Sequence, residues 1–429
     1  MRLDKMAGTR IVDKRSLVPL DVAKIKFDGS FIDYYLPILG ILQYYSTGAT
    51  GSYGSLVLYF YAAIELLLSI GRRPIYFHKG LILFSAYALV SQPIVFSIYG
   101  GFTSARLFNF ISVIYIVLVL AVFSDSLNTD RFFKVYLRIG FIASAAIVIQ
   151  SVQLYIFHQD VHGIALLPCD TSGWYSGGDR PCGLFPEPSV YAYYILPLLV
   201  LCLQREKKEM ALLFTACICI STSSMGIISS AFIWAYWLLK RFDVRRVIVG
   251  CVAIAAAFVL AMQTPMGRFA FDKIVSTDYA NSPRLTRGFL IYANLNESQQ
   301  LFGIGRNNLD YFISNDLVQL TDWASTQVSE ANLDYVTTVS GVLINYGLVG
   351  AILYFVPLLY MLRKKGVERI LLLLFLMLSF VQTMFFDMNF VFLLLVVFNL
   401  HSKDDSFIEC GAAFRLSDSQ RKRISRRSI

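Results

Sequence analysis

The chain has 429 residues, 56% hydrophobic and 15% aromatic, with only 16% charged and a mean hydropathy of +0.58. A soluble globular protein carries about a quarter charged residues and no long uncharged runs, so that class is excluded. The formal charge of +9 does not point to nucleic acid, because the basic residues fall in short connectors and at both ends, where they read as orientation signals.

Apolar runs of about 15 to 25 residues recur from Phe31 to Leu400, the length that crosses a hydrocarbon core of about 30 Å. The fold expected is all-α: a polytopic integral membrane protein of about 12 transmembrane helices with two long outer loops. Spans are predicted at about 31–47, 53–70, 81–99, 107–123, 139–157 and 190–203, then as two short helices within 210–239, and at about 247–262, 336–361 and 370–384, with a last one ending near Leu400. Residues 1–30 form a polar N-terminal segment, 31–400 the helical domain with outer loops at about 158–188 and 264–335, and 401–429 a basic tail lying free or on the anionic inner leaflet. With the connector clusters (Arg72 and Arg73; Arg131, Lys134 and Arg138; Arg205 to Lys208; Lys240 to Arg246; Arg363 to Arg369) on one side, both termini are expected in the cytoplasm. No apolar stretch precedes Phe31, so the first span is expected to act as an uncleaved signal anchor.

Within the spans, Glu65 is an ionisable group at membrane depth, expected to face the interior as a structural hydrogen-bonding group or a catalytic one. Pro93 is expected to kink the third span. The block 210–239 is too long for one crossing, and its polar knot Ser221–Gly226 is expected to break it beside a cavity. Of the seven cysteines, Cys169 and Cys182 share the first outer loop, where a disulfide is a reasonable expectation. The four histidines lack metal-ligand spacing, so neither a metal nor another cofactor is expected.

The long outer loops are where function is expected. In the first, Glu187 sits between Pro186 and Pro188 at the mouth of a span. It reads either as a general base with its pKa raised by partial desolvation or as an acid favouring a helix N-terminus. Arg180 binds phosphate or pairs with Asp179. In the second loop, Arg284 and Arg287 share a helical face, and Gly303 and Gly305 lead into Arg306. Three guanidinium groups suit a pyrophosphate; alternatively they pair with Asp278, Glu297 or Asp310 and solubilise the loop.

These segments resemble the bacterial polysaccharide polymerases and O-antigen ligases. RPCGLFPEPSVYAYY (Arg180 to Tyr194) is similar to the segment leading that family's first long periplasmic loop into a helix. Arg287 and Gly303 stand at the spacing of its Arg-x15-Gly pattern, LFGIGRNN (Leu301 to Asn308) resembles its Phe-Gly-x-Gly turn, and NYGLVGAILYF (Asn345 to Phe355) its following helix. The arginine of the family's Ser-Arg-Gly is absent from the 221–226 knot.

The resemblance implies a GT-C-like, metal-independent glycosyltransferase of the bacterial inner membrane, its active site facing the periplasm. Such an enzyme moves a glycan from undecaprenyl pyrophosphate to a sugar hydroxyl of another lipid-linked unit. The implied partners are the undecaprenyl-pyrophosphate-linked oligosaccharide, membrane lipid and a chain-length regulator protein, with no nucleic acid. The implied roles are Glu187 and Arg287 as catalytic residues, Arg180, Arg284, Arg306, Gly303 and Gly305 at the pyrophosphate, and Trp174 and Tyr175 on sugar rings or at the interface. A ligase is expected to carry a histidine in the second loop; none lies between Thr264 and Tyr335, which favours the polymerase. A flippase or transporter for lipid-linked oligosaccharide is the alternative of another class.

Overall fold

The structure is a computed structural model that describes residues 30–46, 52–69, 75–99, 103–240, 286–318, 336–363, 366–400 and 407–410, with isolated positions at 101 and between 263 and 276. Arg284, the predicted span at 247–262, and nearly all of both terminal segments lie outside the described residues.

Described helices are α1 Ser30–Leu42, α2 Tyr53–Ser69, α3 Lys79–Ile98, α4 Ser104–Phe123, α5 Thr129–Tyr155, α6 Pro188–Gln204, α7 Lys208–Ile220 and α8 Ser224–Lys240. Three short ones follow inside the second loop: α9 Arg287–Ala293, α10 Glu297–Phe302 and α11 Leu309–Ser314. The chain then forms α12 Thr338–Met361, α13 Val367–Ser379 and α14 Met388–Leu400. Among the described residues, four helices are long and apolar enough to cross a membrane: α3, residues 106–123 of α4, α5 and α12; five shorter apolar helices accompany them.

Two helices are apolar all round and form the centre. Every residue of α6 from Val190 to Leu203 is buried, as is α14 from Phe390 to Phe398, the pattern of a helix enclosed on all sides. Around them, α3 buries Leu81, Phe84, Ala88, Val95 and Phe96 while Val90, Ile94 and Ile98 stay exposed. Phe60 on α2, Phe108 on α4 and Ile142 and Ile149 on α5 likewise point outward. An outer surface as apolar as the inner one is what a hydrocarbon solvent selects, because lipid offers polar side chains no partners. Glu65 is buried, as its depth requires.

The polar knot breaks the 210–239 block as expected: α7 and α8 meet at residues 221–223, with Thr222 at φ 55°. Other boundaries moved. Helix α5 starts at Thr129, because Asn128 caps it by accepting from the Arg131 amide at 3.1 Å, so Arg131, Lys134 and Arg138 belong to the helix and not to a connector. Helix α3 runs on through Pro93 to Ile98. Within the tail, Phe407–Cys410 forms strand β2, antiparallel to β1 (Ile75–His78) with Ile75 opposite Cys410 and His78 opposite Phe407. The ring of His78 packs on those of Phe398 and Phe407, which also touch each other. Cys169 and Cys182 are free thiols, so the expected disulfide is not formed. Cys182 is buried with its Sγ 3.4 Å from the Arg180 carbonyl, whereas Cys169 is only partly covered.

One break was not anticipated. Helix α12 carries a non-helical residue, Gly347, at φ 67° and ψ −173°. Such a break frees carbonyls from their helical partners, and here three in succession are taken by groups outside the helix. Ile344 O accepts from the Ile304 amide at 2.8 Å, Asn345 O from the Gly305 amide at 3.1 Å and from Gln92 Nε2 at 3.2 Å, and Tyr346 O from the Tyr87 hydroxyl at 2.9 Å. Gly303 and Gly305, at φ 82° and 90°, fold the turn tightly against the break; a Cβ on Gly303 would meet the Asn345 carbonyl.

A Cβ on Gly347 would run into the Leu301 carbonyl, while Gly101, also left-handed, has open space around it. Gly347→Ala is therefore expected to destabilise the protein by at least about 2 kcal/mol and Gly101→Ala by only about 1 kcal/mol, read as thermal midpoints in detergent. Equal shifts would mean that the packing at the break is not what matters.

Candidate functional site

Six helices, α2, α4, α6, α8, α12 and α14, begin at one end of the bundle, and hydrogen bonds tie these starts together. The Tyr53 hydroxyl of α2 donates to Pro168 O in the first outer loop, and Arg180 of that loop reaches Thr222 before α8. Arg306 reaches Asn109 in α4, and Thr338 of α12 bridges to the turn before α14 by donating to Gln382 O and accepting from the Met384 amide. Helix N-termini present amides and the positive ends of their dipoles, so this end of the bundle suits an anion.

Arg180 neither pairs with Asp179 nor stands open. Its Nε donates to Thr222 Oγ1 at 2.9 Å and its Nη2 to Thr222 O at 3.0 Å, pinning the outer loop to the α7–α8 break. Asp179 takes the Tyr175 hydroxyl instead. Burial together with that carboxylate pushes the Tyr175 hydroxyl up to about 12, against the opposing charge of Arg180, whose guanidinium lies 5.6 Å over the same ring. Trp174 packs edge-on to Tyr45 at 5.6 Å, so part of its ring serves the loop itself.

Glu187 stands at the N-cap of α6, with Pro188 fixing the first helical position. Its side chain does not cap the helix amides; Oε2 accepts from Ser189 Oγ at 2.9 Å. Across from it, Gln43 Nε2 and the Tyr44 hydroxyl, just past α1, both donate to Asn389 Oδ1, at 2.9 and 3.0 Å. Asn389 Nδ2 in turn donates to Asp387 Oδ2 at 3.1 Å, and Asp387 Oδ1 accepts from the Phe390 amide at 2.8 Å. The negative charges of Asp387 and Glu187 both act on the Tyr44 hydroxyl, which burial raises above its ordinary value.

Arg306 acts on Asp387 from the second loop. Its amide donates to Gln92 Oε1 at 2.8 Å and its Nη1 to Asn109 O at 3.1 Å, while the guanidinium lies 5.4 Å over the Phe385 ring. The backbone holding Asp387 is strained: Phe386 is at φ 47°, a conformation that costs a bulky residue about 1–3 kcal/mol. Burial pushes the Asp387 carboxyl up to about 6, against the lowering effect of the Phe390 amide, Asn389 and the Arg306 charge.

Arg287 is enclosed and does not stand in an open loop. It opens α9 and is 2% exposed, on a short helix that packs against the start of α12, where Gly288 abuts Ser340. The amides of Gly303, Ile304 and Gly305 donate in turn to the carbonyls of Gln299, Ile344 and Asn345, so this turn clasps α12 and its amides do not face a phosphate. Hydrogen bonds thus join Tyr44 to Asp387 through Asn389, and the charges of Glu187 and Arg306 act on the two ends of that run. Sequence reasoning passed over Asp387; the signal available was Asp-x-Asn ahead of an apolar run, which reads as a helix start.

No protein-family model matches the chain, and none of the curated proteins matches it.

Because its carboxyl is raised from 3.8 to about 6 in the fold, Asp387 stabilises the protein most below pH about 4 and loses that contribution as pH rises through about 6. The thermal midpoint of Asp387→Asn is expected to lack this step, and a step of unchanged size in the variant would assign it to another group.

Proposed function

We propose that the chain is a membrane glycosyltransferase of the polysaccharide-polymerase type, moving a glycan from a polyprenyl diphosphate carrier to a sugar hydroxyl of a second lipid-linked unit. The observation that carries the reading is the run of hydrogen bonds from Tyr44 through Asn389 to the Asp387 carboxyl, with the charge of Arg306 acting on Asp387 and that of Glu187 on Tyr44. The motif resemblance between Arg180 and Phe355 supplies the substrate class.

In the reaction, the acceptor oxygen bonds to the anomeric carbon, the bond from that carbon to the diphosphate oxygen breaks, and the acceptor proton passes to a carboxylate. A diphosphate is already a good leaving group, so the protein's task is to offset the negative charge that grows on it and to orient the acceptor. Arg306 supplies the permanent charge, on a backbone held by Gln92, and the helix N-termini add to it. Glu187 and Asp387 are the proton acceptors on offer; a carboxylate with a raised pKa is the better base. Arg180 acts as a brace that fixes the loop carrying Glu187 to the α7–α8 break. The inner membrane, with the site on the periplasmic face, is the location this chemistry requires.

Reconstituted protein given a lipid-linked repeat unit should build a ladder of longer products. Arg306→Ala and Asp387→Asn should each slow elongation by about a hundredfold or more, with Asp387→Asn also losing the rise in rate through pH about 6. Protein-dependent movement of the lipid-linked unit across the bilayer, with no ladder, would replace this reading by the transporter.

A further inference from the structure

Part of the second outer loop does not stay at the end of the bundle. Its Gly303–Gly305 turn meets α12 at Asn345, about 10 Å along from the helix start at Thr338 at a rise of about 1.5 Å per residue. On α3, the Tyr87 hydroxyl donates to Phe302 O at 3.3 Å, and Tyr87 stands about 16 Å short of Ile98, where that helix ends. On α4, Arg306 Nη1 donates to Asn109 O at 3.1 Å and lies 3.4 Å from Ser112 Oγ, about 8 and 12 Å from the start at Ser104. All three helices are long and apolar enough to cross a membrane. The 20 residues of α3 span about 30 Å, the thickness of the hydrocarbon core. Three independent rulers therefore put the turn about 8 to 16 Å down from the end where the outer loops attach.

The short helix α10 is graded in the matching direction. Its sequence, ESQQLF, has its polar residues first and its apolar ones last. Gln299 Nε2 lies 3.5 Å from the hydroxyl of Tyr99, just past the end of α3. Phe302 instead shares a cleft with Val90 and Ile94, deeper along the same helix. Leu301 and Phe302 are 44% and 50% exposed, and so are their surroundings: Val90 and Ile94 on α3, Leu348 and Ile352 on α12. The apolar outer faces of two membrane-crossing helices thus continue onto α10.

The backbone meets the condition for leaving water. The amides of Gly303, Ile304 and Gly305 donate to the carbonyls of Gln299, Ile344 and Asn345, and that of Arg306 to Gln92 Oε1. Ile304 O accepts from Asn308 Nδ2 at 2.7 Å. Irregular backbone is tolerated at membrane depth only where protein groups satisfy it, whereas a loop lying in water needs no such provision.

We infer that the second outer loop is re-entrant: α10 and the turn after it dip into the outer leaflet, where Leu301 and Phe302 lie against lipid acyl chains. Such a dip suits an enzyme and a transporter alike and is independent of the function proposed above. Bulk lipid is the occupant because the exposed face is continuous with those of α3 and α12.

The test places a fluorescent amino acid at Phe302, and in a second variant at Leu301, of the full-length protein in phosphatidylcholine nanodiscs. Quenching is read with a phosphatidylcholine carrying a mid-chain nitroxide and with aqueous iodide. Ile94 on the lipid face of α3 and Asn294, exposed between α9 and α10, serve as reference positions, and the thermal midpoint shows that each variant is folded. Probes at 301 and 302 are expected to be quenched by the nitroxide lipid as strongly as one at 94, and by iodide at least about threefold less than one at 294. Iodide quenching at 301 and 302 equal to that at 294 would return the loop to water. Probes shielded from both quenchers would mean that protein, such as a second copy of the chain, covers this face. Either result overturns the assignment.

Discussion

The break in α12 is the constraint on which the rest of the site depends. Once Gly347 leaves the helical conformation, the carbonyls of Ile344, Asn345 and Tyr346 need donors, and in an apolar interior each unmet group costs several kcal/mol. The donors come from the Gly303–Gly305 turn, Gln92 and Tyr87. Meeting that demand fixes the second loop against α3 and α12, and Gln92 passes the constraint on by accepting from the Arg306 amide. The position of the Arg306 cation is thus set by the hydrogen-bonding needs of a broken helix. A backbone defect and a charged side chain are two ends of one network.

The carboxylates that feel or face this cation are placed by similar means from unrelated parts of the chain. Gln43 and Tyr44 follow α1, Asn389 and Asp387 lie at the start of α14, and Glu187 precedes α6; a short run of hydrogen bonds joins the first four. Each sits where a helix starts or ends, so the rigid apolar helices α6 and α14 carry the polar groups at their tips. Only there can a carboxylate be held near a cation without being driven through the hydrocarbon layer. The strain at Phe386 is tolerated because the flanking helices leave the turn no other course.

Much of the helical layout was legible in the sequence. Apolar runs long enough to span a bilayer are a local property of the chain, and the polar interruption at Ser221–Ser223 could be read as a break between α7 and α8 because the surrounding block was too long for one crossing. The start of α5 was missed because its first turns carry Arg131, Lys134 and Arg138, which read as a connector until the Asn128 cap is seen. The site was less legible. Glu187 and Arg306 stand in conspicuous motifs, but Asp387 is a lone acid whose partners come from α1 and the second loop, and spacing along the chain carries no trace of them. Gly303 and Gly305 were conspicuous for a reason other than the one expected. Their conformational freedom serves the close approach to α12.

The small sheet between β1 and β2 gives the far side of the bundle a different character. It fastens residues beyond α14 to those just ahead of α3, with His78 packed on the rings of Phe398 and Phe407 from α14 and β2. The polypeptide is in effect sewn into a loop, its penultimate stretch stitched to a seam opened by the second and third helices. A reporter joined directly after Leu400 would cut that stitch, whereas one joined after Cys410 would leave it whole.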